Sequence, residues 1–353
     1  MKHSLVKSML LIYWGVAGIG AFQGAAQEPD KAAKPAWTGS SIKQHGLLVM
    51  NDIVRSDPLN QANIPVQPVS IFTVRADGTG KKMLTGPGNQ YPSWTPAGKI
   101  IFVSDRSGSP QVWIMDADGA NPKQIGNVQM RRITRVQMAK NGLIAFLQPG
   151  DGIWLMQKDG SGLRQLVRFK NGAGDAPSLA ISGSWLTYTA PADSTPGHNE
   201  IFRINTDRTG LKQLTYTGDP DYPDANASSI SPDETMVAIY TGVESNPENP
   251  KSGPLGYHNI AVIPAGGGPR RMLTRCHPVR TRQEQERMAM SPDGCVASDN
   301  PSWSTDGKWI IYDRGSFNPD GCGTWAIDLK GNNMQRLYPA SPGGGSIPLR
   351  LAY

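Results

Sequence analysis

The sequence predicts an all-β protein, a six-bladed β-propeller of four-stranded antiparallel blades, and three observations predict it. A ten-residue tail recurs six times: ADGTGKKMLT (76 to 85), ADGANPKQIG (117 to 126), KDGSGLRQLV (158 to 167), TDRTGLKQLT (206 to 215), AGGGPRRMLT (265 to 274) and LKGNNMQRLY (329 to 338). The first three copies start about 41 residues apart, close to the length of one four-stranded propeller unit. Composition agrees: 40 Gly and 29 Pro in 353 residues, with charged residues at 18%, suit many short strands joined by tight turns rather than long surface helices.

Within each unit the strands follow from local pattern. SWTPAGKIIFV, VQMAKNGLIAFL, SLAISGSWLTYT, SISPDETMVAIY and SWSTDGKWIIYD each read as a strand, a Pro/Asp/Gly turn and a second apolar strand, here named A and B. GSSIKQHGLLVM (39 to 50) fits the same template for blade one. Strand C is a run such as VWIMD, IWLMQ, IFRIN or TWAID. The Asp-Gly or Gly-Gly pair opening the tail supplies a turn that tolerates positive φ, and strand D ends each tail. Six such units span residues 39–338.

Ahead of them, Lys2 and Lys7, the apolar run Met9 to Phe22 and the small residues Gly24, Ala25 and Ala26 read as an export signal over 1–26, cleaved before Gln27. A short linker, 27–38, follows. The expectation is a periplasmic or secreted protein with no membrane span after cleavage, and no cysteine follows the apolar run to receive a lipid. Losing Lys2 and Lys7 lowers the formal charge from +6 to +4. That value, without a long basic run, argues against nucleic acid as a partner. In an oxidising compartment Cys276, Cys295 and Cys322 should form one disulfide and leave one thiol over, with the pairing open.

The pair PSWTPAGKIIFVSDRSGSPQVWIMDADGANPKQI and PSWSTDGKWIIYD resembles the WD40-like repeat of the TolB propeller, with its Pro-Ser-Trp turn, apolar strand, Ser-Asp-Arg loop and Asp-Gly tail. The likeness extends over nearly all of the chain after the signal, although blades three to five lose the Trp. It implies an envelope protein that binds partners rather than an enzyme. TolB also places an α/β domain before its propeller, where only Gln27 to Thr38 stand here, so a TolB-like propeller without that domain is expected.

Successive tails drift apart, from about 41 residues to about 48, 59 and 64. The surplus falls between strands B and C of blade four (Ala190 to Asn199), blade five (Gly242 to Asn259), blade six (Arg314 to Gly323) and blade one (Asp52 to Pro68), and between blades five and six (Arg275 to Ser298). B–C and D–A connections share one end of a propeller, so this upper face is the expected functional surface.

Three histidines, His198, His258 and His277, lie in these loops with Glu200, Glu244, Cys276 and Asp320 nearby. Imidazole and carboxylate suit a divalent metal ion, yet no His-x-His or His-Glu-x-x-His spacing occurs, and solvated histidines fit equally. Gln90, Thr134, Asp175, Asn226 and Asp299 occupy equivalent positions before strand A, either as ligands for a cation or sugar at the channel mouth or as local turn caps. Arg131, Arg132, Arg135, Arg275, Arg280 and Arg282 make the face basic, with Glu244, Tyr257 and Asn300 completing it. RTRQEQERMAM (280 to 290) reads as a helical turn or two of alternating charge.

No Gly-x-Ser-x-Gly elbow, phosphate loop, dinucleotide fingerprint or Cys-x-x-Cys is present. The first reading is therefore a monomeric, cofactor-independent binding module for a cell-envelope protein or an anionic glycan. The alternative is a metal-assisted polysaccharide lyase similar to oligogalacturonate lyases, with His198, His258 and His277 as ligands or base and Arg280 and Arg282 neutralising a uronate. Residues 339–353 form a tail in which GSIPLRLAY is placed to add a ring-closing strand.

Overall fold

The computed structural model describes residues 46–52, 70–170, 174–193, 195–216, 224–243, 257–276, 283, 287, 295–316, 321–339 and 350–351. They form six four-stranded antiparallel sheets. The first strands of neighbouring sheets touch one another around a closed inner ring, so the sheets are the blades of a propeller, with strand A innermost and strand D at the rim.

The turns form for identifiable reasons. At the A–B turns a hydroxyl closes the loop: Thr95, Ser231 and Ser304 accept hydrogen bonds from the backbone N–H groups of Lys99, Met236 and Trp309. At the C–D turns Asp77, Asp159 and Asp207 accept from both the N–H and the hydroxyl of the residue two places on. Those side-chain hydrogen bonds hold all three carboxyls below their ordinary range. The tail threonines return the chain to strand C, for Thr85, Thr215 and Thr274 accept from the N–H groups of Ile71, Ile201 and Ile260.

Second strands are continuous apolar runs because both faces of each blade are buried. In Ile100–Ser104, Ile100 and Phe102 pack with Val49 and Ile71 of blade one, whereas Ile101 and Val103 pack with Val136, Ile144 and Phe146 of blade three. Six apolar clusters result, one between each pair of adjacent blades. The repeat tryptophans belong to them: Trp94 fills the cluster between blades one and two, and Trp303 the cluster between blades five and six, where its indole N–H donates to Ser229 O.

Blade one departs from the sequence expectation. Leu47–Asp52 is its second strand, paired on one side with Ser70–Arg75 and on the other with Arg350–Leu351. The innermost strand of the first blade thus comes from the C-terminal tail, which touches strands A of blades two and six and closes the ring. Residues 39–45, where the template placed strand A, lie outside the described residues, as do the signal, the linker and most of 277–294. Of the 280–290 stretch only Gln283 and Arg287 are described, both helical and exposed. No helix among the described residues is long and apolar enough to cross a membrane.

The surplus residues begin as added rungs of sheet rather than as loops. In blade two the B–C ladder ends at Ser104↔Gln111. In blade four it continues through Ala190↔Glu200 and Pro191↔Asn199 to Ala192↔Thr195, and in blade five through Gly242↔His258 to Val243↔Tyr257. The strands concerned reach 8 and 11 residues in blade four and 8 in blade five, against 5 in blade two.

Emptying an interblade cluster should cost what other buried tryptophans cost, about 3–5 kcal/mol. Trp94→Ala is expected to lose that much in urea denaturation followed by circular dichroism. A loss below about 1 kcal/mol would show that blades one and two do not depend on this contact.

Candidate functional site

Strand A of each of blades two to six carries a β-bulge near its upper end, between Gln90 and Ser93, Thr134 and Gln137, Asp175 and Ser178, Asn226 and Ser228, and Asp299 and Ser302. A bulge adds a residue and re-aims its neighbours. Tyr91, Arg135 and Asn300 take it up in the left-handed region, at φ 53°, 55° and 51°, which costs energy for side chains other than glycine. Below the bulges the inner wall narrows to a cavity of about 40 Å³ bordered by Ser93, Gln137, Ser178, Ser229 and Ser302. The accessible chemistry is therefore at the upper mouth.

The five positions aligned from sequence are equivalent in space, because each is the register partner of the corresponding residue of its strand B: Gln90↔Val103, Thr134↔Leu147, Asp175↔Thr189, Asn226↔Tyr240 and Asp299↔Asp313. Three of them reach to the preceding blade. Arg135 Nε lies 3.9 Å from Asp175 Oδ1. Asn199 Nδ2 donates to Asn226 Oδ1 at 3.0 Å. His258 Nδ1 and Asp299 Oδ1 are 2.6 Å apart, with the Tyr240 ring against the imidazole. One residue pair further along the seam, His198 Nδ1 is 3.6 Å from Asp224 Oδ1, which also accepts from Asn199 N. A base of one blade meets an aspartate of the next at three successive junctions.

Blade six adds a second acid. Asp313 stands opposite Asp299 at a position where the other blades carry Val103, Leu147, Thr189 or Tyr240. Burial pushes its carboxyl well above the ordinary range, and the negative charge of Asp299 adds to this. Hydrogen bonds from Asn300 and Thr324 and the charge of Arg135 oppose the shift without cancelling it. Of two facing carboxyls, the half-buried Asp299 lies against a base, and the buried Asp313 is the one pushed up.

The remaining expected residues are placed as follows. Arg131, Arg132 and Arg275 are exposed. Tyr257 is buried at the top of strand C of blade five. Glu200 is fully buried and accepts from Thr215 Oγ1, so it braces strand D of its own blade. Among the described residues no three His, Cys, Asp or Glu side chains converge as a metal site; His198 and His258 serve different aspartates. Glu244, His277, Arg280, Arg282 and Asp320 lie outside the described residues. The disulfide joins Cys276 to Cys295, with Cys322 outside it. It ties together the two ends of the longest insertion, 19 residues apart, and a loop of that size is worth about 3 kcal/mol of lost unfolded-state entropy in the chain-entropy account. Asn259 pins the same corner through hydrogen bonds with the N–H and carbonyl of Cys276.

Asp313 was not anticipated, although its signal was present: at the corresponding place the second strands of blades two to six run Val, Leu, Thr, Tyr and then Asp.

No family model and no curated protein matches the sequence. Solved structures do match its fold. TolB from Acinetobacter baumannii is 15% identical with a TM-score of 0.55, covering 87% of this chain and 66% of that one. A provisional TolB from Agrobacterium tumefaciens is 12% identical at TM-score 0.55, covering 87% and 98%. A chain of a nidogen/laminin complex is 12% identical at TM-score 0.58, covering 87% and 99%.

The protonated Asp313 has a consequence for stability. An unfolded aspartate loses its proton near pH ~3.9, and the folded one keeps it to higher pH. Between those limits the native state holds the extra proton, so stability falls as pH rises, by up to about 1.4 kcal/mol per pH unit. Asn at this position cannot titrate. Asp313→Asn should gain melting temperature relative to the parent as pH is raised from about 4 to about 8. Parallel melting curves across that range would mean that the native carboxyl is charged.

Proposed function

Because the chain is a TolB-like six-bladed propeller, we propose that it is an exported, non-enzymatic binding module for a cell-envelope protein or an anionic polymer. It acts in the periplasm or outside the cell as a monomer, after loss of residues 1–26, and engages its partner through the upper face.

The observation that carries this reading is the sheet added to one end of blades four and five. Extra rungs on the side of the B–C and D–A connections, and none at the opposite turns, make a rigid raised wall beside the mouth. Exposed Arg131, Arg132 and Arg275 border that face with positive charge, and guanidinium groups favour carboxylates and phosphates. A lyase using His198 and His258 around one ion would need them to share a centre, and each is turned to its own aspartate.

The mature protein, immobilised with and without chelator, should retain a partner or polymer from a solubilised envelope fraction. Arg131→Glu combined with Arg132→Glu should weaken retention by about tenfold or more. Chelation should leave it unchanged and the polymer intact. Polymer shortened only when metal is present would replace this reading by the lyase. Amino-terminal sequencing that begins at Met1 rather than Gln27 would overturn the export step.

A further inference from the structure

A well-formed hollow lies away from the mouth, on the rim between blades four and five. It is a cavity of about 500 Å³, within the ~300–1,000 Å³ of small-ligand sites. One wall is strand D of blade four and the residues after it, from Lys212 to Tyr216, and the other is the C–D turn of blade five, from Gly266 to Arg270.

Comparison with the other rim junctions shows what is unusual. A basic residue of strand D reaches a backbone carbonyl in the next blade's turn at several of them: Lys82 to Asp118 O, Arg164 to Thr206 O, Lys212 to Gly266 O and Arg271 to Leu329 O. At the other three an aspartate, Asp118, Asp207 or Asp328, belongs to the turn that receives the cation. The blade-five turn, Ala265-Gly266-Gly267-Gly268-Pro269, has no acid. Its glycines leave the wall without side chains: a Cβ on Gly266 would meet nothing within 4 Å, and Gly267 and Gly268 sit at φ 83° and 144°, where other residues are strained. The floor, Leu214 and Ile263, is buried. The exposed apolar feature is the Tyr216 ring, 67% accessible at the cavity's edge.

We propose that this groove is a binding site for a short anionic oligosaccharide, separate from the upper face. Tyr216 offers a flat ring to the apolar face of a sugar. Lys212 spends one of three N–H donors on Gly266 O and has others to meet a carboxylate. Bare peptide groups of the glycine turn serve hydroxyls. An acidic peptide fits less well, because the walls lack the apolar sockets that peptide side chains fill.

The test is calorimetric titration of the intact mature protein with a uronate tetrasaccharide, its carboxyl-reduced neutral counterpart and poly-glutamate. Saturable uronate binding is expected, weaker by roughly tenfold in Tyr216→Ala and in Lys212→Gln, at unchanged melting temperature. Both side chains are at the surface, and Lys212→Gln gives up one exposed hydrogen bond to Gly266 O, so both variants should still fold. The neutral sugar and poly-glutamate should bind at least about tenfold more weakly. Absence of saturable binding, equal binding by the two variants, or equal binding of poly-glutamate overturns the proposal. Uronate binding abolished by Arg131→Glu with Arg132→Glu but indifferent to Tyr216→Ala would support the upper face and overturn this groove.

Discussion

A four-stranded blade cannot bury itself, and everything else in this protein answers to that constraint. Both faces of each blade are apolar, so each needs a neighbour on either side, and the arrangement becomes self-consistent only when the last blade meets the first. The cluster that completes the circle joins Ile311, Ala326 and Leu337 of blade six to Leu48, Met50, Phe72 and Val74 of blade one. It is made from opposite ends of the sequence. The pairing of Arg350–Leu351 with Leu48 and Val49 adds backbone hydrogen bonds to the same junction, so closure rests on both side-chain burial and strand pairing.

The recurring tail makes sense in these terms. Its aspartate tightens the C–D turn, its basic residue reaches the neighbouring turn's carbonyl, its leucine or isoleucine enters the interblade cluster, and its threonine returns a hydrogen bond to strand C. Buried amides do related work nearer the axis. Asn51 donates to Asn89 O and accepts from Tyr91 N, while Gln137 donates to Pro177 O and accepts from Leu179 N. These bonds satisfy backbone groups near the bulges and stitch one blade to the next.

Most of the architecture was legible because its signals are local. Turn chemistry and apolar runs are written within ten residues of where they act, so five of the six A–B hairpins and all the tails could be located from letters alone. What escaped is non-local. GSIPLRLAY reads as a ring-closing strand, and its Arg350–Leu351 is one, but nothing in GSSIKQHGLLVM shows that its own partner on the inner side comes from residue 350. Three cysteines allow three pairings, and only the approach of strand A of blade six to the end of blade five selects Cys276 with Cys295. The inserted stretches looked like loops because added rungs on an exposed hairpin need no continuous apolar run. At the mouth, the alignment correctly grouped Asp175, Asn226 and Asp299, but whether such residues cap their own turns or reach another blade depends on tertiary placement, and here they reach.

The mouth then follows from how charge can be placed on closely spaced inner strands. At the bulge of blade six the half-buried Asp299 would be costly unless matched, whereas Asp175 of blade four is exposed. Each is matched from the blade before it, by Arg135 at one junction and His258 at the other. The second match requires the added rungs of blade five, since His258 stands on Gly242↔His258, beyond the point where the ladder of blade two ends. Lengthening the blade and seating an imidazole against Asp299 are therefore one structural event. Asp313 opposite is buried and faces the charge of Asp299, so its carboxyl is pushed well above the ordinary range even though Asn300, Thr324 and Arg135 favour its ionised form. The polarity of the mouth, with Arg135 paired to Asp175, His258 to Asp299 and the Asp313 carboxyl pushed up by burial, is thus set by strand length as much as by residue identity.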